Sequence, residues 1–334
     1  MKILFFMRHP GYVRNFDSVL GELARGGHDV HIAFDSLTTK WMAGADPLGN
    51  LAGNERITVG RPPRVRNGWR RLATALRSCD DYLRYQQPEY ADAPKLRKRA
   101  EQRIPQLMRG PLDRATPHAP IVQRALRAFD RAIPVDRELD AFIRGIAPDI
   151  VLVTPLVGLG SAQADYLKAA RAAGCPGGLC VASWDNLTNK GLIREEPDLV
   201  AVWNDAQRDE ATELHGTPLD QVAVTGAHSY DHWFSWTPSS ERGEFCARVG
   251  LDPSKPYILY LGSSPFIAPH EHRHVTAWLR GLRSRPEREL REVGVLVRPH
   301  PQNADQWNEA DLSGIDNVTV YPPTGADPDR KSVV

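Results

Sequence analysis

The chain has 334 residues, enough for two domains of ordinary size with a core each. At 41% hydrophobic and 25% charged residues, its composition excludes a disordered or fibrous protein. The net charge of +1 hides an asymmetry: residues 61–131 carry 17 Lys/Arg against 7 Asp/Glu, and the remainder is correspondingly acidic. Such a basic block can meet an anionic membrane surface, a polyanionic acceptor or nucleic acid, or stand as a solvated Arg-rich helical face.

The opening apolar run, residues 3–7, is closed by Arg8 and is too short for the apolar region of a signal peptide. It is followed by the polar loop Arg8-His9-Pro10-Gly11, by apolar residues at helical spacing (Val13, Phe16, Leu20, Leu23, Ala24), and by Gly26-Gly27, which stop the helix. Strands are expected at 30–34 and 57–59. From Arg66 to about Arg144 the strand signal disappears, and helical segments broken by prolines imply an inserted lobe of about 66–145. The sheet pattern returns at 149–154, followed by a Gly-rich loop, a helix over 162–173, and strands at 179–182, 199–203 and 222–225. Residues 150–162 form the longest apolar stretch, but Thr154 and Pro155 interrupt it well short of a membrane span.

Alternation starts again after the loop at 237–240, with strands at 257–261, 294–297 and 318–321 and a helix over 270–283. Strands alternating with helices imply right-handed crossovers and parallel sheets. The expected fold class is therefore α/β: two Rossmann-like doubly wound domains, 1–236 and 237–334, the first carrying the helical Arg-rich insertion and the second incomplete. The four cysteines, Cys79, Cys175, Cys180 and Cys246, form no C-x-x-C pair and read as reduced core thiols.

Chemistry is expected where loops leave the carboxyl ends of strands. His9, after the first strand, can act as a general base, and Arg8 and Arg14 can hold anionic groups; a plain Pro-Gly turn is the alternative. In Trp184-Asp185-Asn186-Leu187-Thr188, Asp185 can take a proton and Asn186 orient a hydroxyl, or the pair can simply make an Asx-turn. Gly262, Ser263 and Ser264 can lend N–H groups and hydroxyls to phosphate, and the stiff loop Arg298-Pro299-His300-Pro301 presents Arg298 and His300 to a diphosphate or phosphodiester. His270, His272 and His274 splay around a helix, so no metal is expected. Gly158-Leu159-Gly160 mimics a dinucleotide fingerprint, but Gln163 stands at the third glycine position.

In the order of these elements, the chain resembles the two-domain GT-B glycosyltransferases. Trp184-Asp185-Asn186-Leu187-Thr188 and Arg298-Pro299-His300-Pro301 are similar in placement to motifs of the CDP-glycerol glycerophosphotransferases and related surface-polysaccharide transferases, where the first motif has histidine in place of Asp185. The resemblance implies transfer of a sugar or polyol phosphate from a nucleotide-sugar or CDP-polyol donor to a glycan or lipid-linked acceptor. On it, His9 and Asp185 are the catalytic residues, Arg8, Arg14 and Asn186 bind acceptor, and Gly262, Ser263, Ser264, Arg298 and His300 bind donor. No cofactor, metal or nucleic acid is expected. The location is cytoplasmic, with peripheral contact at the inner face of the membrane through 61–131. Family members continue past the strand near Val318, so a shortened donor domain is an expectation. A nucleotide-sugar 2-epimerase-like enzyme and a non-catalytic binding module are the alternatives.

Overall fold

The structure is a computed structural model that describes residues 1–37, 48–64 and 68–323. Arg66, where the helical stretch is expected to begin, and residues 324–334, which enter the expectation of a shortened donor domain, lie outside the described residues. The chain divides into two compact units, Met1–Ser235 and Trp236–Val334.

In the first unit, β1 (Lys2–Met7) leads through a 3-10 turn into α1 (Val13–Arg25), β2 (Asp29–Phe34) and β3 (Ile57–Gly60). The inserted lobe follows: α2 (Gly68–Tyr85), α3 (Pro94–Glu101), α4 (Gln106–Ala115), α5 (Ala119–Ala132) and α6 (Arg137–Ile146). The sheet resumes with β4 (Ile150–Thr154), α7 (Ala164–Ala172), β5 (Gly177–Cys180), β6 (Leu199–Val202), α8 (Asp205–His215) and β7 (Val222–Val224). All seven strands are parallel, in the order β3-β2-β1-β4-β5-β6-β7. The order reverses between β1 and β4, which places the ligand crevice of such a sheet at their carboxyl ends.

The reason for that layout is visible in β1. Residues 3–7 are all buried, because a central parallel strand has a layer on each face. Leu4 and Phe6 join one core with Val151, Val153 and Tyr166, while Ile3, Phe5 and Met7 join the other with Phe16, Leu20 and Ile32. Phe5 and Phe6 are fully buried, each contributing about 1.5–3 kcal/mol of hydrophobic stabilisation.

Two sequence expectations change here. The strand expected at 179–182 starts earlier, at Gly177, and ends at Cys180. A Cβ on Gly177 would come within 2.7 Å of the Leu167 side chain, and one on Gly178 within 2.9 Å of Leu152. A larger residue at either position would require the leucine to shift, so glycine suits the close packing. The basic block is also not uniformly a solvated face, since Arg77 and Arg84 are buried on α2 together with Asp80 and Asp81.

The second unit contains α9 (Arg242–Val249), β8 (Tyr257–Leu261), α10 (Glu271–Arg283), α11 (Arg288–Glu292), β9 (Gly294–Arg298) and β10 (Val318–Val320). Its described strands form a parallel sheet in the order β10-β9-β8. The central strand β9 is buried from Gly294 to Val297. Val275 and Leu279 of α10 pack with Val295 and Val297 on one side, and Cys246 and Val249 of α9 with Leu296 on the other.

Candidate functional site

At the switch point of the first unit, Arg8 and His9 follow β1 and the loop at residues 155–163 follows β4. The Arg8 guanidinium lies 3.9 Å from where a Cβ of Gly158 would stand, so Arg8 spans the two loops. The His9 ring packs on Tyr12, with centroids 4.8 Å apart. Burial first, then the charges of Arg8 and Arg14, push the His9 pKa below 6.5, so the ring is neutral at neutral pH. Its Nδ1 is buried without a protein partner among the described residues. Arg14 stands on the first turn of α1 with its residue exposed. Arg8, His9 and Arg14 are thus brought together.

Asp185 joins this group electrostatically, its charge raising the pKa of the Tyr12 hydroxyl after the larger effect of burial. Its carboxylate is already occupied: it accepts from the Ser183 hydroxyl at 2.8 Å and the Asn189 amide at 3.2 Å, and pairs with the Lys190 ammonium at 2.9 Å. Although burial opposes the charge, these partners hold the pKa of Asp185 below the ordinary carboxylate value, which weakens it as a proton acceptor. Asn186 is 5% exposed, and its Oδ1 accepts from the Ala182 N–H at 3.2 Å. This bond reaches back to the end of β5, where an Asx-turn would reach forward two residues, and with its burial it ties the Asn186 side chain into the fold. Trp184 beside them is 70% exposed and offers a flat apolar face at the same sheet edge.

Sequence reasoning missed the groups that hold this edge in shape. Asp35, just past β2, accepts from the Tyr166 hydroxyl at 2.5 Å and from the Gln163 amide at 3.1 Å. Part of the residue meets solvent, but loss of hydration at the carboxyl raises its pKa despite those hydrogen bonds. Gln163 also donates to the Thr154 carbonyl at 3.0 Å and accepts from the Leu156 N–H at 2.7 Å. Leu156 needs that support, because its φ of 56° is a left-handed conformation costing a branched residue about 1–2 kcal/mol. The position of Asp35 after a buried strand was the available signal.

The lobe supplies a second clamp. Asp81 accepts from the Gly160 N–H at 2.9 Å and pairs with Arg194 at 2.6 Å, while Arg77 pairs with Asp165 at 2.6 Å and Asp130 at 2.9 Å and donates to the Ser161 carbonyl at 2.9 Å. The insertion therefore fixes the loops after β4 and after β5 from outside the sheet.

In the second unit, the predicted donor residues meet at the ends of β8 and β9. The Gly262 N–H donates to the Arg298 carbonyl at 2.8 Å, and Asn303 donates to the Ser263 carbonyl at 2.9 Å. The Ser263 N–H is taken by the Glu271 carboxylate at 2.8 Å, so two of the backbone donors assigned to phosphate are engaged within the protein. What remains for an anion is the two serine hydroxyls and the Ser264 N–H. Arg298 is half-buried and donates to the Pro299 carbonyl at 2.8 Å. His300 Nδ1 accepts from the Gln302 N–H at 3.1 Å, which places the neutral ring's proton on Nε2 as an outward donor. Among the described residues, no group of three His, Cys, Asp or Glu side chains could hold a metal ion.

No family model matches the chain, and no curated protein matches it by sequence. Solved structures do. A glycosyltransferase from Rickettsia africae ESF-5 aligns with a TM-score of 0.50 at 11% identity, over 96% of this chain and 68% of that one. The UDP-GlcNAc 2-epimerase of Methanocaldococcus jannaschii aligns at 0.48 and 10% identity, over 98% and 74% of the two chains. MurG of Acinetobacter baumannii aligns at 0.43 and 12% identity, over 96% and 65%. The chain carries a mixed α/β, Rossmann-like fold of the GT-B kind.

Proposed function

We propose that this protein is a glycosyltransferase-like enzyme that moves a sugar or polyol phosphate from a nucleotide-activated donor to a glycan or lipid-linked acceptor presented near an anionic membrane. The observation that carries the reading is that, on a GT-B-like fold, each of the two units has its own strand-end site and the two differ in chemistry. The first unit has a neutral histidine between arginines at its switch point; the second has Arg298 and an Nε2–H of His300 on one stiff loop.

In this scheme the acceptor hydroxyl binds beside Trp184, Arg8 and Arg14. His9 takes its proton in preference to Asp185, whose carboxylate is already paired. The hydroxyl oxygen forms the new bond to the transferred group as the bond to the leaving nucleotide breaks. Arg298, His300 and the hydroxyls of Ser263 and Ser264 hold the charge that develops on the departing phosphate. The scheme gives that role to these side chains and draws on no cofactor.

The test is calorimetry of the full chain against CDP, UDP and GDP, followed by incubation of nucleotide-activated sugars and CDP-polyols with and without a lipid-linked acceptor. Binding of one nucleotide and acceptor-dependent product support the reading. Conversion of a nucleotide sugar without acceptor would assign an epimerase, and no nucleotide binding would leave a non-catalytic module.

A further inference from the structure

The helix α5 is amphipathic, yet it is docked with much of its apolar side outward. At about 100° per residue, Ile121, Ala125, Phe129, Val122 and Leu126 fall on one continuous arc, and Gln123, Arg127 and Asp130 on the other. Amphipathicity alone would turn that whole arc inward. Instead the polar side is drawn in. Asp130 pairs with buried Arg77 at 2.9 Å, Arg127 pairs with buried Asp80 at 3.0 Å, and Gln123 donates to the Asp80 carbonyl at 3.2 Å. Val122 and Leu126 pack against the lobe's core, whereas Ile121 and Phe129 are left 68% and 66% exposed. Ala125 between them is also exposed.

The edge of this stripe is cationic. Arg124 and Arg131 follow its apolar residues around the helix, and both are exposed. The one acid of α5, Asp130, is buried against Arg77, so the helix's own surface carries no carboxylate. A branched and an aromatic side chain beside exposed arginines that form no ion pair among the described residues match a bilayer interface, where apolar groups enter the acyl boundary and arginines meet anionic headgroups. A second copy fits less well, since a two-fold contact would oppose the same arginines.

We propose that the outward face of α5, built on Ile121, Ala125 and Phe129 and bordered by Arg124 and Arg131, docks the protein on membranes rich in anionic lipid. The proposal extends the lipid-linked acceptor of the reading above by naming where lipid is met. Its test needs no turnover, so either can fail without the other.

The experiment is flotation of the full chain with phosphatidylcholine vesicles, with and without phosphatidylglycerol. The protein is expected to float with the anionic vesicles, weakly with neutral ones, and less as salt rises. Ile121→Ser with Phe129→Ser should weaken anionic binding at least tenfold without lowering the unfolding temperature, since both side chains already face solvent. Arg124→Gln with Arg131→Gln should weaken it several-fold and flatten the salt dependence. Equal binding to both vesicle types, no binding, or binding unchanged in both double variants would overturn the proposal. So would a solution dimer that the Ile121 and Phe129 substitutions dissociate.

Discussion

Asp81 accepts a hydrogen bond from the Gly160 N–H at 2.9 Å, so a helix of the inserted lobe holds the loop that follows a central strand of the sheet. The same carboxylate pairs with Arg194, whose side chain is 5% exposed. Without Asp81, the buried Arg194 would keep only the longer contact to Asp80 at 3.5 Å. Asp81→Ala is therefore expected to destabilise the first unit by about 3–5 kcal/mol, measured as a fall in the urea midpoint. Adding Arg194→Ala should cost less than its own single substitution, because Asp81 is then not left as an unpaired buried carboxylate.

How far the sequence shows this arrangement depends on the range of the interaction. β1 and β4 are legible because a strand covered on both faces is a continuous apolar run. The β9 loop is legible because Arg298 and His300 alternate with Pro299 and Pro301 at a strand end. Gly177 and Gly178 are not, since glycine carries a turn signal locally and its strand role comes from Leu167 and Leu152 packing over it. The ion pairs of Arg77 with Asp130 and Arg194 with Asp81 join residues far apart in the chain, and in composition they count only as charge. Asp185 was legible as a position, but its occupancy by Ser183, Asn189 and Lys190 belongs to a turn geometry that no spacing rule specifies.

Gly262 is required by approach and not by dihedral freedom. A Cβ there would stand 3.0 Å from the His300 backbone nitrogen and 3.2 Å from the Arg298 carbonyl oxygen. Neither is the end of a flexible side chain, so Gly262→Ala requires the β9 loop to give by a few tenths of an ångström. A loss of about 1–3 kcal/mol in stability is expected. On the reading above, nucleotide binding should also weaken at least tenfold by calorimetry. Ser264→Ala, which moves no backbone, should weaken binding and leave the unfolding temperature unchanged.

His215 predicts a pH dependence. It accepts from the Ile193 N–H at 3.1 Å and donates to the Leu187 carbonyl at 2.7 Å, bracing the loop that follows Asp185 with a neutral ring. Burial pushes its pKa from 6.5 down to about 4. As pH falls, the unfolded chain therefore takes up the proton first. Stability present above pH 6.5 should decline between pH 6.5 and about 4 and change no further below, by roughly 3 kcal/mol at most. Chemical denaturation across that window checks it, and His215→Gln should flatten this part of the slope.

The choice of base can be decided by where the acid limb of the rate profile falls. If His9 takes the acceptor's proton, kcat/KM should fall as pH drops through a value below 6.5, because the ring must be neutral to accept and its pKa is lowered. If Asp185 does so, the limb should lie below 3.8, since its partners hold the carboxylate ionised at every ordinary pH. An acid limb that lies below 6.5 but above 3.8 therefore points to His9. His9→Gln should then remove that limb and lower kcat by roughly 10²–10⁴-fold. Asp185→Asn should keep the limb, releasing Lys190 and acting mainly on KM. Loss of the limb in Asp185→Asn, with His9→Gln near normal, would reverse the assignment and make His9 a residue of the turn.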